Sequence, residues 1–228
     1  MRWLGPANRS PYARGMADWT TISALATAGG TLALAAATYS AVRSANRSAL
    51  IAEEQRQIGL RPVLMASRLQ DPAEKVGWVD DHWAKVEGGR AHAEAVDGNI
   101  YLAGSVRNVG AGIAVLQGWW PSAEVVLAAD QPQQHVEPER FRPQSRDLYI
   151  PAGDVGFWQG ALRDRDDDAY FAVLQAIEQR QRMIVDLLYS DHEGGQRAIS
   201  RFGLFPGQTS VWMFTVVRHW NLDRIDPR

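Results

Sequence analysis

From Trp19 to Val42 the chain runs for 24 residues without a charge, bracketed by Asp18 and Arg43. At ~1.5 Å of rise per helical residue this is about 36 Å, enough to cross a hydrocarbon core of roughly 30 Å with some tilt. The pattern predicts a transmembrane helix over residues 18–43. Trp19 and Tyr39 sit near its ends, where interfacial aromatic rings belong. Eight Ala and five Thr dilute the strong inserters Ile22, Leu25, Leu32, Leu34 and Val42, so the span is a weak one. A cleaved signal peptide ending at Ala35-Ala36-Ala37 is the main rival, and a buried soluble helix the lesser one.

Residues 1–17 carry no hydrophobic period and predict an unstructured leader, with Met16 as the start of translation. From Met16 on, the N-terminal flank holds no basic residue, whereas Arg43, Arg47, Arg56 and Arg61 follow the span. The excess of Arg behind the helix places the C-terminal domain in the cytoplasm of a single-pass cell-membrane protein. Residues 44–60 have helix formers and no Pro, and extend the helix into solvent. Gly59 and Arg61-Pro62 end it, because the residue before Pro is pushed toward extended geometry. Gly29, Ala33, Ala37 and Ala41, with Gly30 beside them, give the four-residue spacing of small side chains that lets two helices approach. The same spacing also arises by chance in an Ala-rich helix.

Beyond residue 61 the period shortens to two. Pro62–Leu69 reads as a first strand, and Asp71–Glu94, polar and marked by Trp78 and Trp83, as a long irregular excursion. Ile100, Leu102 and Val106 are the apolar positions of a half-buried strand; Asn108, Gly110 and Gly112 then supply a turn or bulge that admits positive φ. Strands follow at Ile113–Trp119 and Glu124–Ala128, then a Pro- and Gln-rich loop over Gln131–Gln144. Asp147–Trp158 reads as strand, turn, strand. Asp residues of the charged turn Arg163–Asp168 can cap a helix over Ala169–Arg182, with Phe171, Leu174 and Ile177 as its apolar stripe. Met183–Tyr189 and Arg197–Leu204 form a hairpin around Asp191, and Ser210–Val217 is the last strand. Short strands separated by turn signals predict an antiparallel β-sandwich with one inserted helix over residues 61–228.

Composition narrows the function more than it names it. A net charge of −2 argues against a general nucleic-acid binder. The absence of Cys removes disulfides, thiol catalysis and zinc-thiolate sites. Arg outnumbers Lys by 22 to 2, which fits GC-rich coding better than anion recognition.

Candidate chemistry is sparse. Asp80-Asp81-His82 and Asp191-His192-Glu193 hold metal-ligand types, and a site would form if the two loops met. Adjacent residues on an extended chain point to opposite faces, so a polar hairpin turn explains 191–195 more simply. Ser105 lacks the Gly-x-Ser-x-Gly turn of an exposed nucleophile and reads as a paired strand residue. Trp119-Trp120 and Trp158 would line a carbohydrate or peptide groove if exposed, with core packing the default. No catalytic, cofactor or metal residue is assigned.

A membrane helix, a juxtamembrane helix ending in Arg61-Pro62, and the strand Arg107–Ala114 with Asn108, Gly110, Gly112 and Ala114 together resemble a group of uncharacterised bacterial membrane-anchored proteins. Members carry a variant of Asn-x-Gly-x-Gly-x-Ala in an immunoglobulin-like β-sandwich. The resemblance covers Asp18 to about Leu116, and more loosely Ile150–Phe157. It implies an immunoglobulin-like fold and no activity. The expected protein is a membrane-tethered, non-enzymatic β-sandwich for protein interaction or assembly. Its expected partners are the bilayer, an unidentified protein and a second copy through the small-residue face. A metal-dependent hydrolase near Asp80-His82 and Asp191-Glu193, or an extracytoplasmic ligand-binding module, is the alternative.

Overall fold

The computed structural model describes residues 13–123, 134–208 and 211–224. It divides into two compact units, one up to Gln55 and one from Arg56 on. The expected strand Glu124–Ala128 and most of the expected leader lie outside the described residues.

Helix α1 (Ala13–Gly59) is continuous for 47 residues, roughly 70 Å. It begins within the expected leader and passes Arg43 without a break. Over Trp19–Gly59 it is long and apolar enough to cross a membrane, and none of that window is buried. Its hydroxyls are satisfied along the helix itself: Thr27, Thr31 and Thr38 donate to the carbonyls of Ser23, Thr27 and Leu34 at 2.8–2.9 Å. Ser23 and Ser40 donate three residues back, to Thr20 and Ala37. Such back-bonding lets Thr and Ser sit in hydrocarbon without an orphaned O–H. The helix ends at Gly59, where Pro62 forbids continuation.

The second unit is mainly antiparallel sheet. Its strands are β1 (Leu64–Ala66), β2 (Glu74–Gly77), β3 (Trp83–Val86), β4 (Arg90–Val96), β5 (Asn99–Asn108), β6 (Ala114–Ser122), β7 (Arg142–Pro143), β8 (Tyr149–Ile150), β9 (Val155–Leu162), β10 (Met183–Ser190), β11 (Ala198–Pro206) and β12 (Trp212–Asn221), with α2 (Tyr170–Glu178) between β9 and β10. Ten of them form one sheet in the order β1-β5-β4-β12-β11-β10-β6-β7, with β9 on β5 and β8 on β6. Only two residue pairs, Trp212↔Ala91 and Met213↔Arg90, join β12 to β4.

At that narrow junction the sheet doubles over. Trp119 on β6 and Trp158 on β9 are far apart along the sheet, yet their ring centroids are 5.6 Å apart. Tyr189 on β10 likewise accepts the N–H of Leu64 on β1 at 3.2 Å. The buried face between the halves holds Ile100, Leu102, Trp158, Leu187, Phe202 and Trp212, and α2 adds Tyr170, Val173 and Ala176. Phe171, placed on the apolar stripe by sequence, is 65 % exposed. Leu174 and Ile177 pack against the core as partly buried residues, but Tyr170 rather than Phe171 turns inward, donating to the carbonyl of Gly98. Asp167 accepts the N–H of Ala169 at 2.8 Å, but the N-cap is Ala169, without a side-chain cap hydrogen bond, and the helix stops at Glu178 rather than Arg182. Arg180 there adopts φ +49°.

The excursion at 71–94 is ordered, contrary to the sequence reading. It forms the two-stranded sheet β2–β3 and the first half of β4. Val76, Ala84 and Val86 face inward and bury Trp78, Tyr101 and Ala103 beneath them. Lys75 and Lys85, directly paired, face out. Four-residue strands carrying charge at alternate positions leave too little hydrophobic period to read. The loop 131–144 also contains structure, a 3-10 turn at Pro138–Arg140 and the short strand β7.

Candidate metal centre and ligand cleft

The hairpin β2–β3 lays its loop over the outer face of β4, β5 and β9. Asp81 turns the loop with φ +59°, and Trp78 accepts this geometry by donating its N–H to the His82 carbonyl at 2.9 Å. The Trp78 indole donates to the carbonyl of Gly160 at 3.0 Å, pinning the loop to β9. On β4 the alternation Ala91-His92-Ala93-Glu94-Ala95 turns the three alanines toward the main core. His92 and Glu94, two residues apart, therefore share the outer face. Register puts Ala103 opposite His92 and Tyr101 opposite Glu94, so the small residue leaves room above the imidazole.

Three side chains converge there. Nε2 of His82 and Nε2 of His92 each lie 3.3 Å from Oε2 of Glu94. One ligand atom from each of the three falls within 4.8 Å of the other two. Both Nε2 atoms are buried and lack a hydrogen bond of acceptable geometry. The His82 ring stacks on Tyr101, with centroids 3.9 Å apart and planes 12° from parallel. Tyr101 is itself held, donating to Asp80 at 2.6 Å, and Arg163 pairs with the same carboxylate at 3.0 Å. The hydrogen bond from Tyr101, with Arg163 behind it, holds the Asp80 carboxyl below its ordinary range. Burial and the Asp80 charge push the Tyr101 phenol up. His92 is pushed down by burial, only partly offset by Glu94.

Next to this cluster is a cleft of about 300 Å3 whose lining includes Trp78, Trp119, Arg142, Gln144, Gln159 and Arg163. Nη1 of Arg142 and the side-chain oxygens of Gln144 and Gln159 are buried there without a hydrogen-bond partner. Trp119 lines this cleft, Trp158 is fully buried, and Trp120 lies beneath the guanidinium of Arg142 at 4.5 Å.

The other expected site does not join them. Asp191 is buried and accepts the N–H groups of Glu193 and Gly195 at 3.1 and 3.0 Å, closing its own turn. Glu193 pairs with Arg56 at 2.8 Å. Among the described residues, the group that gathers metal-ligand atoms contains His82 but none of Asp191–Glu193. Ser105 is buried on β5 and accepts from Ser67 at 2.6 Å, a paired strand residue as read.

The Asn-x-Gly-x-Gly-x-Ala stretch is a structural clamp. Asn108 is wholly buried; its amide donates to the carbonyls of Gly112 and Ile150, and its oxygen accepts the N–H of Val63 and of Gly110. Neither Gly110 nor Gly112 has positive φ, contrary to expectation. They are required because a Cβ would overlap the backbone of Arg61–Val63 at Gly110 and of Leu60 at Gly112. Ala114 is buried and pairs with Ile150.

Fold and site together define a mainly antiparallel β protein behind one long apolar N-terminal helix, with a His/His/Glu cluster on its outer sheet face. No family model, curated protein or solved structure matches the chain.

Proposed function

We propose that the chain is a single-pass membrane protein whose β domain is a non-enzymatic module for protein interaction or assembly in the cytoplasm. One observation carries the reading: the unburied apolar helix Trp19–Gly59, whose Ser and Thr hydroxyls back-bond within the helix. The shared core of the doubled sheet and the Asn108 clamp support an immunoglobulin-like sandwich of the kind the motif resemblance implies. Gly29 and Gly30 have open space where a side chain would be, which suits a second copy packing through Gly29, Ala33, Ala37 and Ala41. Because the chain has no Cys, single substitutions such as Ala33→Cys and Leu34→Cys report that seam directly. Cross-linking should peak on the small-residue face.

The cleft favours a second reading, an extracytoplasmic module that binds a polar ligand against Trp78 and Trp119. Reporters active on one side of the membrane only, fused after Arg228 in chains begun at Met1 and at Met16, separate the two. Cytoplasmic activity in an uncleaved membrane fraction supports the first. Activity outside, or release of a shortened chain, overturns it in favour of the second.

A further inference from the structure

We propose that His82, His92 and Glu94 bind a divalent transition metal in tetrahedral geometry, with Zn(II) the best fit. This site goes beyond the tethering role and does not rest on it. The donor set is two imidazole nitrogens and one carboxylate oxygen on a partly exposed sheet face, with side-chain exposures of 21, 24 and 45 %. Imidazole suits Zn, Cu, Fe and Ni, whereas Mg and Ca take oxygen ligands.

The spacing is compatible with a four-coordinate ion: one ligand atom from each residue lies within 4.8 Å of the other two. Ligand atoms on a tetrahedral ion with bonds of about 2.05 Å stand about 3.3 Å apart; on an octahedral ion at about 2.1 Å they stand only about 3.0 Å apart. Both nitrogen–oxygen separations are 3.3 Å. The competing account makes Glu94 the acceptor of two imidazole N–H groups. In that case the contacts should be straight hydrogen bonds, and neither Nε2 makes one. A nitrogen aimed at a shared ion points about 35° away from the neighbouring oxygen, which bends and weakens any direct N–H···O contact.

The surroundings hold the ligands in place. The Tyr101 ring fixes the plane of His82, the Asp80–Arg163 pair fixes Tyr101, and the Trp78–Gly160 hydrogen bond anchors the loop that carries His82. Three protein ligands leave a fourth position for water or for a donor from another molecule.

The test uses the full chain, purified in detergent without an affinity tag, stripped with a chelator and titrated with Zn(II) and separately with Co(II). We expect one ion per chain, a higher unfolding temperature with Zn(II), and the intense visible bands of four-coordinate Co(II). His92→Ala and Glu94→Gln should each weaken binding at least ~100-fold, while His192→Ala leaves it unchanged. No binding by the wild-type chain, a weak octahedral cobalt spectrum, or affinity indifferent to His92→Ala would overturn the assignment. The wild-type stoichiometry and spectrum decide the matter even where a variant fails to fold.

Discussion

Asn108 Oδ1 accepts the N–H of Val63 at 3.2 Å, tying the last residue of β5 to the segment that leads from α1 into β1. The same side chain bonds Gly110 at 3.0 Å, Gly112 at 2.6 Å and Ile150 at 3.0 Å, so one amide joins three stretches of chain. Asn108→Ala leaves these buried backbone groups unpaired, at about 1–3 kcal/mol each where water cannot enter. The expected loss is at least ~3 kcal/mol in denaturant unfolding of the detergent-solubilised chain. Asn108→Asp should be no milder, because it turns a carboxylate oxygen toward two carbonyls. A cost below ~1 kcal/mol for either variant would contradict the clamp.

Gly112→Ala should destabilise the β domain although its backbone needs no special φ. The added methyl meets the backbone of Leu60, which cannot rotate away as a flexible side chain would. Overpacking of this kind costs about 1–3 kcal/mol, sometimes more. Gly29→Ala is the contrast, since nothing lies within 4 Å of its Cβ and Ala is the better helix former by ~1 kcal/mol. Thermal melts of the two variants should move in opposite directions, unless the Gly29 seam is occupied by a second copy.

Asp186 and Arg201 face each other across β10 and β11 in a two-pronged ion pair, both contacts at 2.7 Å, with the carboxylate almost wholly buried. The guanidinium also lies 4.8 Å from the Trp220 ring. Removing one partner strands the other, so Asp186→Asn or Arg201→Met should each cost about 3–5 kcal/mol. The double variant Asp186→Leu with Arg201→Met should return most of that loss. Additive costs in a double-mutant cycle would show that the two groups are not coupled.

Much of the domain was legible because its long strands obey a clear period. Ile100, Leu102 and Val106 alternate on the core face of β5, although β2–β3 covers Tyr101 and Ala103, so that the strand is buried on both faces rather than half-buried. Met183–Tyr189 and Arg197–Leu204 pair as a hairpin around Asp191. The metal cluster was legible only in part. His82 stands out in the sequence beside two Asp residues, but the residues it meets are His92 and Glu94, ten and twelve positions on. Their signal was the alternation Ala-His-Ala-Glu-Ala, which on a strand puts both ligands on one face. The polar, Gly-containing residues that precede it mask this period. The fold of the sheet upon itself, which brings Trp119 against Trp158, left no local trace at all. The two glycines of the motif have the composition of a turn, whereas their role is close approach to the chain leaving α1.

Acidification should weaken the contact between the start of β11 and the C-terminal segment. Arg197 donates to Asp223 through its side chain at 2.8 Å and its backbone N–H at 2.7 Å, holding that carboxyl below its ordinary value. A carboxyl depressed in the folded state contributes stability above its unfolded pKa of about 3.9, and loses it as pH falls through the lower folded value. The pair is partly exposed, with side chains 44 and 33 % accessible, so solvent screening limits the contribution to under ~1 kcal/mol. Asp223→Asn should therefore be slightly less stable than wild type at pH 7, and the difference should shrink below about pH 4. Unfolding midpoints measured from pH 7 to pH 3 check the sign. A gap that widens on acidification would mean that Asp223 is not stabilised as a carboxylate by Arg197.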